Sequence, residues 1–345
     1  MSNHPKDLNI YDSAGPPAGI LPSKDMENDD DSTMLSIVQD IPTFGIAGRI
    51  WDSSYALDIF LRRPSDQYTF MPSCPIPRDY FLNPLKARGS AASNCNTVID
   101  SLKQPPLDPI KIIELGAGTG YVGIALAKRL NPSCTLILTD LEEVIPLLEK
   151  NVHDNIPSSM AHGNTDSTFS VPNPSTTLST SSSPISVSAA MPQQPCAVVQ
   201  IEPLAWGNSS HAAKILSRGR VDYVVASDLV YFPELYPPLL QTLREITDLE
   251  TRVIFGYKER AIWKEMPFWE QFGRFFEIDV VQTEMKNRDS CDLQQYEEEQ
   301  REESVQILGA EEEMYVFVAK KRRDEDILDG VDDTLATLMM MQIRY

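Results

Sequence analysis

The stretch that most restricts this chain is IIELGAGTGYVG, residues 112–123. An apolar run carries a carboxylate, Glu114, and glycines follow almost at once. Such a pattern turns a buried strand sharply into a helix and lets the backbone of the turn approach a ligand closely. A nucleoside-containing molecule is the ordinary guest of that turn. The glycines alone leave its kind open, because Gly118, Gly120 and Gly123 also fit the dinucleotide spacing G-x-G-x-x-G.

The rest of the chain supplies a frame for this turn. IKIIEL, CTLILTD, AVVQIEPLAWG, RVDYVVASDLVYF, TRVIFGY, EIDVVQTE and MYVFVAKKR read as seven strands. TGYVGIALAKRL, EEVIPLLEKNV, ELYPPLLQTLREI and AIWKEMPFWEQFGRFF read as helices, with Pro267 kinking or splitting the last. The alternation predicts an α/β fold: a mostly parallel sheet with helices on both faces and an antiparallel final strand. Upstream, GRIWDSSYALDIFLRR (48–63) has the spacing of an amphipathic helix, and residues 64–108 read as a long loop with a short helix. Residues 1–40 and 323–345 are expected to be tails around a domain at 41–322. That domain is expected to carry a disordered Ser/Thr/Pro-rich insertion at 156–196 and an acidic one at 285–312.

Composition narrows the class. With 42% hydrophobic residues in 345, the chain can build a core, and no run of eighteen apolar residues offers a membrane span. The first twenty residues lack the basic-then-apolar order of a secretory signal. Five scattered cysteines argue against a disulfide framework and against a zinc site, so a reducing cytosol or nucleus is expected, with no metal. A net charge of −20 leaves no basic face for nucleic acid. A macromolecular partner should instead present a basic docking surface. No histidine has a partner at useful spacing, so none is assigned to catalysis.

Asp140 closes the second strand, followed by Leu141, where an acid accepts hydrogen bonds from both ribose hydroxyls. Glu114 bears on which nucleoside is bound. A pyrophosphate wants N–H donors and the positive end of a helix. A carboxylate just ahead of the glycines suits a cation or an amine better, as S-adenosylmethionine carries in its sulfonium and amino-acid tail. An inward-facing Glu114 could also brace the loop.

The sequence also resembles a known family, the seven-strand, S-adenosylmethionine-dependent protein-lysine methyltransferases of eukaryotes. ELGAGTGYVGIALA resembles their first motif, and GRIWDSSYALDIFL their Gly-x-x-Trp-Asp segment. LAWG (204–207) resembles their Leu-x-Trp-Gly, and SDLVYF carries their Asp-x-x-Tyr as Asp228 and Tyr231. The resemblance spans residues 48–322, with VIFGYKER and PFWEQF most similar to the fungal elongation-factor branch. It implies a Rossmann-like sheet, S-adenosylmethionine as cofactor, and a protein lysine as acceptor, on an elongation factor or chaperone. It further implies that Trp51 packs beside the cofactor, and that Gly116, Ala117 and Gly118 form its loop. Asp140 would hold the ribose, Trp206 would lie near the adenine, and Ser227 would touch the cofactor. Asp228 and Tyr231 would face the reacting methyl and the amine. Ser227 departs from the alanine common there. Tyr231, Phe232 and Tyr257 are available to line an aromatic channel. A monomer is expected. A small-molecule amine methyltransferase, a dehydrogenase and a catalytically silent adaptor remain as alternatives.

Overall fold

The computed structural model describes residues 15–17, 35–62, 68–82, 107–162, 195–285 and 305–330. Most of the expected tails and insertions lies outside the described residues.

β2 (Ile110–Leu115) is apolar except for Lys111 and Glu114, and all of it but Lys111 is buried, as a strand covered on both faces requires. Its side chains alternate: Ile110 and Ile112 join one core, Ile113 and Leu115 the other. β3 (Cys134–Asp140), β5 (Val198–Pro203), β6 (Tyr223–Ser227) and β7 (Arg252–Lys258) run parallel to it. β11 (Met314–Lys321) lies antiparallel between β7 and β8 (Phe276–Val280). β4 (Ala161–His162) is a two-residue addition to the seven expected strands, and the order is β4-β5-β3-β2-β6-β7-β11-β8. The antiparallel strand is therefore intercalated one place in from the edge.

One face is covered by α2 (Asp52–Phe60), α3 (Tyr121–Arg129) and α4 (Ile145–Asn155). The other is covered by α5 (Ser209–Leu216), α6 (Tyr236–Ile246) and α7 (Ile262–Phe275). α7 continues through Pro267 without splitting. α5, which the apolar pattern did not announce, is opened by Asn208, whose side chain accepts from the N–H groups of Ser210 and His211.

α2 corrects the amphipathic expectation, because Ser53 through Phe60 are all buried. Its buried serines and aspartate have partners instead of solvent. Asp58 receives Arg129 at 2.7 Å and Arg62 at 2.8 Å. Ser54 and Ser53 meet the Ser227 hydroxyl at 2.9 and 3.3 Å. EIDVVQTE also divides. At Val281, whose N–H donates to Val316 O, the chain leaves the main sheet. β9 (Gln282–Met285) then forms a small antiparallel sheet with β1 (Tyr68–Met71) and β10 (Val305–Ile307).

The expected boundaries shift with these contacts. Ser36 and Val38 donate to Asn155 and Asn151 of α4, so the end of the expected tail is part of the domain. Residues 157–162 and 305–312 likewise belong to it, through β4, β10 and the turn before β11. The Leu328 N–H donates to Arg274 O, beyond the expected end at 322.

Candidate active site

At the carboxyl ends of β2, β3 and β6, where loops part, a cavity of about 1110 Å³ opens. Trp51, Glu114, Gly116, Ala117, Gly118, Asp140, Leu141, Trp206, Ser227, Asp228 and Tyr231 all line it. The fold thus gathers the expected cofactor and catalytic residues around one cavity.

The floor is the glycine turn. Gly116 and Gly118 take φ of +57° and +54°. A Cβ on Gly116 would lie 2.8 Å from Leu229 Cδ2 and 3.1 Å from Trp206 Cζ2, and one on Gly118 would lie 2.9 Å from Ala47 O. Glycine is required twice over, for conformation and for space. The turn is tied to β3: Ala117 N–H donates to Thr139 O at 2.9 Å, and Gly118 N–H to Asp140 Oδ2 at 2.8 Å. Asp140 Oδ1 accepts from Leu141 N–H at 2.7 Å. Each of its oxygens keeps a further lone pair for a ligand. Burial pushes the Asp140 carboxyl up to about 6, against its two N–H bonds and with help from Glu143.

Glu114 performs the bracing role: Oε2 takes the Gly123 N–H of α3 at 2.9 Å. It also lines the cavity while 4% exposed. Burial pushes its carboxyl up to about 8, the Gly123 bond opposing and Asp140 reinforcing. A positive group in the cavity would return it to the charged form.

The roof is built mostly from a segment ahead of the motif at residues 48–52, in which the sequence showed none. α1 (Ile41–Phe44) and the 3₁₀ turn Gly45–Gly48 line the cavity, together with Arg49 and Trp51. The Asp40 side chain caps Thr43 N–H, Gln39 Oε1 accepts Ile50 N–H, and Trp51 Nε1 donates to Ile46 O. An Asp before Ile-Pro was the available signal for this cap and helix start.

The far wall follows β6. Asp228 sits at φ +59°, unusual for a non-glycine residue, with its N–H on Gly256 O at 2.8 Å. The Arg260 guanidinium takes both Asp228 oxygens, at 2.7 and 2.5 Å. Nothing in the motif announced this partner. Tyr231 packs edge-on to Phe232 at 4.8 Å and lies 6.5 Å from the Trp206 ring. Its hydroxyl titrates above its ordinary range, through burial first and then the charges of Asp140 and Asp228. Phe232 lines the cavity as expected. Tyr257 does not: it is fully buried among Trp269, Tyr315 and Phe317, with its hydroxyl on Glu265. It is the penultimate residue of β7, and because its neighbour Gly256 faces α2, alternation turns Tyr257 into the α7 layer.

Glycines at 116 and 118 with no room for a Cβ, acids near the ends of β2 and β3, and a polar-aromatic wall beyond β6 form a candidate ligand site at the strand ends of a doubly wound α/β domain. The chain belongs to the lysine methyltransferase family, whose model it matches over residues 29–165 and 180–275. It is similar to the protein N-lysine methyltransferase METTL21A of Danio rerio, 28% identical over 44% of this chain and 50% of the relative. It is also 28% identical to EEF1A lysine methyltransferase 3 of Xenopus tropicalis, over 52% of this chain and 59% of the relative. Protein-lysine methyltransferase METTL21E of Mus musculus is 24% identical over 56% and 63%. The chain thus spans about half to three fifths of the length of these relatives. Among solved structures, a TehB-like SAM-dependent methyltransferase from Corynebacterium glutamicum aligns over 70% of this chain and all of its own, at 13% identity and a TM-score of 0.31.

Proposed function

We propose that this chain is an S-adenosylmethionine-dependent protein-lysine N-methyltransferase. The observation that carries it is one cavity joining the glycine cradle, the acids Glu114 and Asp140, and the Asp228–Tyr231 wall. The residues fit the cofactor. The cradle admits a ligand against bare backbone, Asp140 has lone pairs for ribose hydroxyls, and Glu114 offers a counter-charge to a sulfonium or amine. Trp51, Trp206 and Ser227 complete its contacts. When bound, this cofactor supplies a methyl group on a positively charged sulfur.

The chain's own residues then have to present a neutral amine in line. A free lysine titrates near ~10.4, so losing its proton at pH 7 costs roughly 4–5 kcal/mol. Tyr231 and Phe232 give the amine an apolar, aromatic wall, which favours its uncharged form by desolvation. Asp228 and Tyr231 orient it, and the proton leaves to water.

The substrate in this reading is a protein with a basic docking surface, met by a monomer in the cytosol or nucleus. The acidic turn Glu311, Glu312, Glu313 supports it. The Glu259 N–H donates to Glu313 O at 2.9 Å, which puts the turn beside the carboxyl end of β7, the same end as the cavity. Among the described residues, no helix is long and apolar enough to cross a membrane. The names of the relatives make elongation factor 1A the first protein to try.

The test is incubation with methyl-labelled S-adenosylmethionine and either recombinant elongation factor 1A or a eukaryotic extract, beside Asp140→Ala. One or a few labelled bands, absent with the variant and mapping to lysine, are expected. Label confined to small molecules, or no label despite cofactor binding, would refute the protein-lysine reading.

A further inference from the structure

Asp228 is the carboxylate beside the incoming amine in a protein-lysine methyltransferase, and any role for its partner Arg260 in handling that amine rests on the proposed function. The Asp228 side chain is 1% exposed. One guanidinium holds both of its oxygens, Arg260 Nη1 on Oδ1 at 2.7 Å and Nη2 on Oδ2 at 2.5 Å. Arg260 comes from just past β7 and is not among the residues lining the cavity. It grips the carboxylate without filling the amine's seat.

Both partners are held rigidly. The Arg260 N–H donates to Glu265 Oε2 at 3.3 Å and the Ala261 N–H to Glu265 Oε1 at 3.2 Å. Arg260 Nη1 also donates to Lys258 O at 3.1 Å, and its guanidinium carbon lies 5.1 Å from the centre of the Trp51 ring. Asp228 is held through the Gly256 carbonyl in its left-handed conformation. The charges around the pair come from several elements. Burial opposes the Arg260 charge, and Asp228, Glu265 of α7 and Asp52 of α2 outweigh it. Arg49 pairs with Asp52 at 3.5 Å, Tyr231 faces Asp228, and Glu114, Asp140, Glu143 and Glu234 line the cavity.

A lone buried carboxylate at the seat would hold a lysine as its ammonium, which has no lone pair to offer. We infer that Arg260 is a positioning residue that cancels this attraction: by taking both oxygens of Asp228 it offsets that carboxylate's charge at the seat, so the target amine settles there neutral. The ammonium loses one N–H bond, the electron pair stays on nitrogen, and the proton passes to water. Each Asp228 oxygen retains a lone pair beyond the bidentate contact, enough to accept one N–H of the neutral amine and aim it.

Two measurements on the full chain test this. The first needs neither methyl donor nor substrate: NMR titration with n-butylamine at pH 8, where it is charged like a lysine side chain. Arg260→Gln is expected to bind it at least about fivefold more tightly than wild type, with Arg260→Lys near wild type. Equal or weaker binding by folded Arg260→Gln overturns the inference. If Arg260→Gln fails to fold, Asp228→Asn serves. With the guanidinium unmatched it should bind the ammonium more weakly than wild type, and equal or tighter binding overturns the inference.

The second is the pH dependence of labelling on the protein band found with wild type. For Arg260→Gln the rising acid limb should move up by roughly one pH unit, about a tenfold loss near pH 7 that recovers by pH 10. A merely structural role would lower the rate equally at every pH. Coincident limbs overturn the inference while leaving the methyltransferase function standing. No labelled protein from wild type at any pH removes that function, and this inference with it.

Discussion

Replacing Glu114 with Gln should make the empty protein more stable at alkaline pH, and the size of the effect follows from its surroundings. Glu114 is 4% exposed, and its carboxyl stands at about 8 instead of the ordinary 4.5, through burial first, opposed by the Gly123 N–H and reinforced by Asp140. In the unfolded chain it loses its proton near 4.5. Between about 4.5 and 8 the folded protein therefore binds more protons than the unfolded one. Stability must fall as pH rises through that window and stay low above it. At about 1.36 kcal/mol per pH unit the full loss is roughly 5 kcal/mol. Water entering the cavity screens part of it, so about 2–5 kcal/mol is expected. Glu114→Gln removes the titration while its side-chain carbonyl still accepts the Gly123 N–H. Asp140, pushed up to about 6, tilts both proteins in the same direction and drops out of the comparison. Urea unfolding at pH 5, 7 and 9 without methyl donor is the assay. Wild type should lose stability relative to the variant by about 2–5 kcal/mol from pH 5 to 9. Parallel curves would mean that Glu114 is already charged in the folded protein, and the burial argument would be wrong.

Other expectations follow from single contacts. Gly118→Ala forces a side chain into φ +54° against Ala47 O and should cost about 1–3 kcal/mol of local strain, read by calorimetry as at least about fivefold weaker S-adenosylmethionine binding. Gly256→Ala places a Cβ 2.6 Å from Leu57 Cγ and 3.1 Å from Ser53 O. It should lower stability by about 1–3 kcal/mol and cut labelling activity, because α2 carries Ser54 and follows Trp51. Asp58→Leu removes the carboxylate shared by Arg62 and Arg129 beneath α2 and should cost about 3–5 kcal/mol in urea unfolding, with little change in cofactor affinity for the protein that remains folded.

The main sheet was legible because its strands are buried on both faces, so IKIIEL and CTLILTD appear as mostly apolar, β-branched-rich stretches that coincide with β2 and β3. α2 misled for the same reason in reverse. A helix pressed between the sheet and α3 buries its serines and its aspartate too, and their partners lie far along the chain: Arg129 for Asp58, Ser227 for Ser54. EIDVVQTE reads as one strand locally, yet it serves two sheets, because Val281 binds Val316 and the chain then turns to β1 and β10. Tyr257 looked available for a channel, but it still lies within β7, and period-two alternation sends it into the aromatic core with Trp269.

The site divides along the same line. The glycine turn and Asp140 were visible in the sequence because each is a local demand, a backbone that must take positive φ or an acid that must stand at a strand's end, whereas the Asp-x-x-Tyr pair was found only through the family resemblance. What required the folded chain were the meetings across distance. The roof of residues 41–48 closes over the glycines only because Ala47 is brought against Gly118. Glu114 becomes hard to ionise only when the fold removes its water. Arg260 reaches Asp228 only because β6 and β7 lie side by side and end together, 32 residues apart in the chain. Conformational preference is a property of a few neighbouring residues, whereas desolvation and charge pairing depend on which surfaces the whole sheet packs together.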